Sequence, residues 1–439
     1  MGARARTSGR FGATTLVVGL SCGLATTVGC SGTPAPDGDG IEASQDDGDG
    51  GGHTTTGQGA GSGAGTGVGG GTGGGAVVAG TVGMVVIDVQ EAFVDVASTP
   101  DMPGIIGRTK SAFELAQDGA IPFLLTFEAS QQGDHALHAP LVPVLPSQAQ
   151  QLVKTTFAAT GLPAFAAAVD EAGVSHVVVL GAETDVCVLQ TVLGLRALGK
   201  TVLLQKDAVF TSETNTSPAL RRMQQAGALL VDEAAVAAAV AHPDALPVGG
   251  DGPVRIVEPL HMGVVLNDFT DAAFGSSADP LLTQKSARLR ELLLISEWFD
   301  LPVYVDDPAA GLPSELASYF QGQLRPLSQI AQDASVEQLV FAGTDGDLAA
   351  ALAAWMPSRE LFVMEDALLA LGTPAELEQT LQPFYAGGLV PTTYKSFYYD
   401  MTKSVDLAEW PSQAWVQKFD EYYWITSAPE DLPPIPDGS

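Results

Sequence analysis

Only three of the 439 residues are cysteine, and 20 lysines and arginines face 51 aspartates and glutamates. So few thiols exclude a disulfide-dense scaffold. A formal net charge of −31 argues against nucleic acid and against anionic lipid headgroups as partners. The apolar stretch near the N-terminus, Phe11 to Leu24, is shorter than an ordinary membrane span. It follows Arg4, Arg6 and Arg10 and leads through small residues to Cys30 in TTVGCSG. Residues 1–30 therefore read as a secretory signal peptide. Cys30 resembles the acylated cysteine of a bacterial lipobox, although Thr27 stands where such boxes carry leucine. The alternative is an ordinary cleavage site with a chance cysteine. A lipid on Cys30 would place the protein in the cell envelope or on its surface, touching the membrane through that anchor only.

Residues 31–75 contain no aromatic residue, no lysine and no arginine, and glycine dominates. Such a segment cannot offset its ordering entropy, so 31–76 is expected to be a disordered tether. About 360 residues remain, more than one core normally fills.

These residues alternate apolar runs with helical patterns. VGMVVID (82–88), AIPFLLTF (120–127), SHVVVLG (175–181), KTVLLQKD (200–207) and GALLVDE (227–233) read as strands of a buried parallel sheet. A helix is expected at about 105–118. The same order returns in HMGVVLND (261–268), LPVYVDD (301–307), EQLVFAGTDGD (337–347), RELFVMED (359–366) and YAGGLVPTT (385–393). The fold class is therefore α/β, with two tandem doubly wound, Rossmann-like parallel-sheet domains at 80–245 and 254–395. The Pro- and Gly-rich stretch 241–253 separates them. Residues 396–439 form an aromatic-rich extension, in which Trp415, Phe419 and Tyr422 fall at helical spacing.

Once the leader is removed and Cys30 is lipidated, Cys187 is the remaining thiol. It lies just after a strand, in the first turn of an expected helix with Thr184 or Asp185 as N-cap. Open α/β sheets place their sites at this edge. A helix N-terminus also favours a thiolate and is expected to lower the thiol's pKa. Asp88, at the end of the first strand, should reach the same edge.

IDVQEAF (87–93), VKTTFAATGL (153–162) and GAETDVCV (181–188), in this order, resemble the isochorismatase-like cysteine hydrolase superfamily. The resemblance implies hydrolysis of a small amide- or ureide-type C–N bond through a triad of Asp88, Lys154 and Cys187. It implies a cis peptide between Ala182 and Glu183, with the N–H groups of Glu183 and Cys187 as oxyanion donors. Gln90 and Phe93 are candidates for lining the substrate pocket. No cofactor is expected. The nicotinamidases of the superfamily bind a metal through a motif that this chain lacks; Asp134, His135 and His138 have a different spacing, and no metal is expected. The alternatives are a vinyl-ether hydrolase with a passive Cys187 and a binding lipoprotein without catalysis.

In the second copy Asp268 remains, but Ala349 stands in place of Cys187. Arg325 is a poor stand-in for Lys154. The second domain is therefore expected to be a non-catalytic, covalently attached partner, as in a dimer made within one chain.

Overall fold

The computed structural model describes residues 77–129, 136–213 and 215–403. The expectations for the leader, Cys30, the tether, Asp134, His135 and the aromatic residues beyond 403 lie outside these residues.

The first lobe contains β1 (Val82–Ile87), α1 (Met102–Asp118), β2 (Phe123–Glu128), β3 (Gln150–Lys154), α2 (Pro163–Glu171), β4 (His176–Ala182), α3 (Leu189–Ala197), β5 (Thr201–Phe210), α4 (Ser217–Gln225), β6 (Leu229–Val231) and α5 (Glu233–Ala241). Its strands are parallel, in the order β3-β2-β1-β4-β5-β6. Every residue of β1, β2 and β4 is buried. Their runs of Val, Leu and Ile are what a sheet covered on both faces requires. The helix expected near 105–118 begins slightly earlier, because the Asp101 carboxylate accepts a bond from the Gly104 N–H at 3.2 Å and caps it.

The second lobe repeats the plan with β7 (Met262–Asn267), α6 (Leu282–Trp298), β8 (Val303–Val305), β9 (Leu324–Pro326), β10 (Gln338–Thr344), α7 (Leu348–Trp355), β11 (Glu360–Leu369), α8 (Pro374–Gly387), β12 (Val390–Thr392) and α9 (Tyr394–Met401). Its order, β9-β8-β7-β10-β11-β12, is the same. The backbone echoes in detail. Asp88 and Asp268 both follow the first strand with left-handed φ, 47° and 42°. Gly181 and Gly343 have φ of 117° and 102°. A Cβ on Gly181 would stand 2.0 Å from the Ile87 carbonyl oxygen, so only glycine fits. The boundary expected at 395 falls inside α9, which packs into the second lobe.

One hydrophobic core runs through both lobes. Leu189 and Val192 of α3 and Met223 of α4 share it with Leu292 of α6 and Phe397 and Tyr399 of α9. By position in the repeat, α6 and α9 correspond to α1 and α5, whereas in the first lobe α3 and α4 meet the partner. The lobes therefore join through unlike surfaces, head to tail, and not like to like as in a two-fold dimer. Polar contacts add to the seam. Arg222 pairs with Asp400 at 2.5 Å, both buried, and Arg221 pairs with Glu365 at 2.8 Å.

Candidate active site at the C-terminal edge of the first sheet

β1 and β4 lie side by side where the strand order reverses, the place at which doubly wound sheets open a crevice. Four buried side chains converge beyond the strand ends. Asp88 follows β1, Glu128 ends β2, Lys154 ends β3, and Cys187 lies in the turn after β4. Lys154 Nζ is 2.7 Å from Asp88 Oδ2, 3.5 Å from Glu128 Oε2 and 3.3 Å from Cys187 Sγ. Asp88 Oδ1 accepts a bond from Thr126 Oγ1 at 2.8 Å. The structure thus brings together Asp88, Lys154 and Cys187. One oxygen each from Asp88 and Glu128 and the Cys187 sulfur lie within 4.8 Å of one another. The Lys154 ammonium is the cation that contacts all three.

The turn carrying Cys187 differs from the expected helix start. Residues Thr184–Val188 form a wide π-type turn, in which the Val186 and Val188 N–H groups both donate to the Glu183 carbonyl at 3.1 Å. The N-cap is Glu183, neither Thr184 nor Asp185, and no side chain caps the turn. The peptide between Ala182 and Glu183 is cis.

The expected low thiol pKa is also not what the structure supports. Burial pushes the Cys187 thiol well above its ordinary value; Lys154 opposes this, while Glu128 and Asp88 add to it. Desolvation of the anion outweighs one ammonium when two carboxylates share the site. Burial alone would lower the Lys154 pKa, but Asp88, Cys187 and Glu128 hold it above its usual value.

Glu128 is the residue that the sequence reading missed. Burial raises its pKa to about 7, against Lys154. Its sequence signal was its place directly after the apolar run AIPFLLTF (120–127), at the end of an expected strand; in the structure it lies in register with Lys154 on the neighbouring strand. Unfolded, Glu128 releases its proton near the ordinary 4.5, whereas folded it keeps the proton to about 7. The folded state therefore binds more protons in that interval, and Glu128 subtracts stability as pH rises through it. Glu128→Gln is expected to melt higher than wild type at pH 8 and about equally at pH 5; thermal unfolding at the two pH values checks this.

Gln90, a pocket candidate, bonds to the Glu128 backbone. Its Oε1 accepts from the Glu128 N–H at 2.7 Å, and its Nε2 donates to the Glu128 carbonyl at 3.3 Å. Phe93 packs in the core on the α1 side of the sheet. His138 bonds to Glu91 at 2.7 Å.

The second lobe reaches this site. Thr393 caps α9 by accepting from the Ser396 N–H at 3.2 Å, which sets Lys395 and Ser396 in its first turn. Lys395 Nζ, buried, lies 3.0 Å from Glu183 Oε1, 2.9 Å from Ser212 Oγ and 3.7 Å from Asp185 Oδ1. Ser396 Oγ donates to the Asp185 carbonyl at 2.9 Å. Burial opposes ionisation of Glu183, but Lys395 and Ser212 hold its pKa below the usual carboxylate value. Nothing near Lys395 in sequence points to Glu183, which is 212 residues away. In the second lobe Ala349 is exposed, and Arg325 is spent on Asp333 at 3.0 Å.

Residues 82–235 match the family model described as "Isochorismatase domain". The chain is 32% identical over 145 residues to a streptothricin hydrolase from Streptomyces noursei, a match covering 31% of this chain and 51% of that protein. It thus spans about half the length of that relative. Among solved structures, the MAR1 ribonuclease of Caenorhabditis elegans is similar at 24% identity and a TM-score of 0.34, over 41% of this chain and 99% of that one. A pyrazinamidase/nicotinamidase from Streptococcus mutans UA159 is similar at 18% identity and a TM-score of 0.31, over 34% and 100%. With its motifs and the domain match coinciding on the first lobe, the chain carries at residues 82–235 a domain of the isochorismatase-like hydrolase superfamily.

Proposed function

We propose that the first lobe is a cysteine-dependent hydrolase of a small amide- or ureide-type C–N bond, and that the second lobe is its attached, non-catalytic partner. The observation carrying this reading is Cys187 Sγ, 3.3 Å from the buried Lys154 ammonium at the crevice edge of the sheet. An ammonium at that distance stabilises a thiolate formed during reaction. The thiolate attacks the carbonyl carbon, and the backbone N–H groups of Glu183 and Cys187 are the donors to the resulting oxyanion. Collapse releases the amine and leaves a thioester, which water hydrolyses. The resemblance assigns the proton transfers to Asp88. The second lobe acts through α9, which supports the turn bearing Cys187 from below. On the same reading the protein is exported and held by lipid on Cys30.

The test is ammonia or amine release from a panel of small amides and ureides by wild type and Cys187→Ala. Turnover is expected to fall on the order of 10³-fold or more in the variant. Undiminished turnover in the variant would mean that Cys187 is not the nucleophile and would overturn this reading.

A further inference from the structure

We infer that Glu128, rather than Asp88, takes the proton of the Cys187 thiol and delivers it to the leaving nitrogen. This inference rests on the cysteine-hydrolase reading and specifies its acid–base group. Cys187 Sγ donates to Glu128 Oε2 at 3.3 Å, so the acceptor is already hydrogen-bonded to the proton that must leave. Asp88 is the tighter partner of the ammonium: one oxygen contacts Lys154 at 2.7 Å, against 3.5 Å for Glu128 Oε2, and the other accepts from Thr126 at 2.8 Å. Its position suits holding the ammonium, and hence the sulfur, in place. Glu128 is in turn held by Gln90, which clamps its backbone on both sides. The charged and titratable groups around Glu128 are Lys154, Asp88, Cys187 and Glu183, the last of these paired to Lys395. A carboxyl that titrates near neutrality serves as both base and acid.

The steps balance. The S–H bond of Cys187 breaks and an O–H bond forms on Glu128. The sulfur electron pair forms the S–C bond, while the carbonyl π pair moves to oxygen. When that pair returns, the C–N bond breaks and the Glu128 proton goes to nitrogen. Water then attacks the thioester, giving its proton to Glu128, and the C–S bond breaks. Glu128 returns that proton to sulfur, leaving one amide bond hydrolysed.

The decisive measurement is the pH dependence of iodoacetamide alkylation at Cys187, followed by peptide mass spectrometry in wild type, Glu128→Gln and Asp88→Asn. A thiol and a carboxyl that share a proton titrate as a pair. Wild type is expected to show two steps: a low plateau reached near pH 7, then a larger rise at high pH. Glu128→Gln should show one step, and Asp88→Asn should keep both. A single high-pH step in wild type would overturn the inference without recourse to any variant. So would two steps that survive Glu128→Gln and vanish in Asp88→Asn. This measurement needs no substrate, so it is independent of the hydrolase reading. On a substrate whose turnover requires Cys187, Glu128→Gln should lose about 10²–10⁴-fold in kcat and the pH dependence near 7. Turnover within 3-fold of wild type, with Cys187→Ala inactive, would sink the role of Glu128 alone.

Discussion

Lys154→Met is expected to lose about 3–5 kcal/mol of stability at pH 8 together with all measurable turnover. The ammonium is fully buried and contacts two carboxylates and a sulfur at 2.7–3.5 Å. Methionine fills much of the same volume but leaves Asp88 and Glu128 without that cation in a dry site. Burial already raises the Glu128 pKa to about 7 against the opposing pull of Lys154, so removing Lys154 raises it further. A folded carboxyl with a raised pKa binds more protons than the unfolded chain, so the variant gains stability as pH falls. Urea unfolding at pH 8 and pH 5 should therefore give a large deficit that shrinks at the lower pH. An equal deficit at both would mean that lost packing, and not unpaired charge, is the cause.

Lys395→Met should cost a similar amount, about 3–5 kcal/mol, although the residue belongs to the second lobe. It would leave Glu183 and Asp185 buried without the ammonium that now lies 3.0 and 3.7 Å away. Burial pushes Asp185 up to about 6 even with Lys395 present. Both acids lie in or next to the turn bearing Cys187, so turnover is expected to fall with stability. Partial unfolding does not explain a loss of kcat measured well below the melting temperature, and that comparison separates the two effects. Deleting residues 254–439 makes the same point more severely, because Val186, Leu189 and Met223 lose the apolar surface contributed by Leu292, Phe397 and Tyr399. A soluble, fully active first lobe would contradict the supporting role proposed for the second.

The active thiol is thus expected to be the reverse of a permanently ionised cysteine. Burial desolvates the sulfur and pushes its pKa well above the ordinary value. The exposed Ala349 shows the contrast. It stands in the first turn of α7, at the position that Cys187 holds in the repeat.

By itself the sequence determined the two α/β lobes, because apolar runs separated by helical patterns leave a parallel sheet few alternatives. It also placed Asp88 and Cys187 at strand ends, which in such a sheet share one edge, whereas Lys154 entered through the resemblance carried by VKTTFAATGL (153–162) and its strand, Gln150–Lys154, appeared only in the structure. Glu128 was within reach of the same logic, since it directly follows the expected strand 120–127. Only the tertiary structure decided the protonation of Cys187 and the part played by Lys395. Both depend on which surfaces exclude water, and that was settled by the unlike faces through which the lobes meet. Such packing brings together residues more than 200 positions apart, where neither periodicity nor spacing carries a signal. Desolvation also reversed the expectation drawn from a helix N-terminus: burial pushes the thiol up against Lys154, with two carboxylates adding to it.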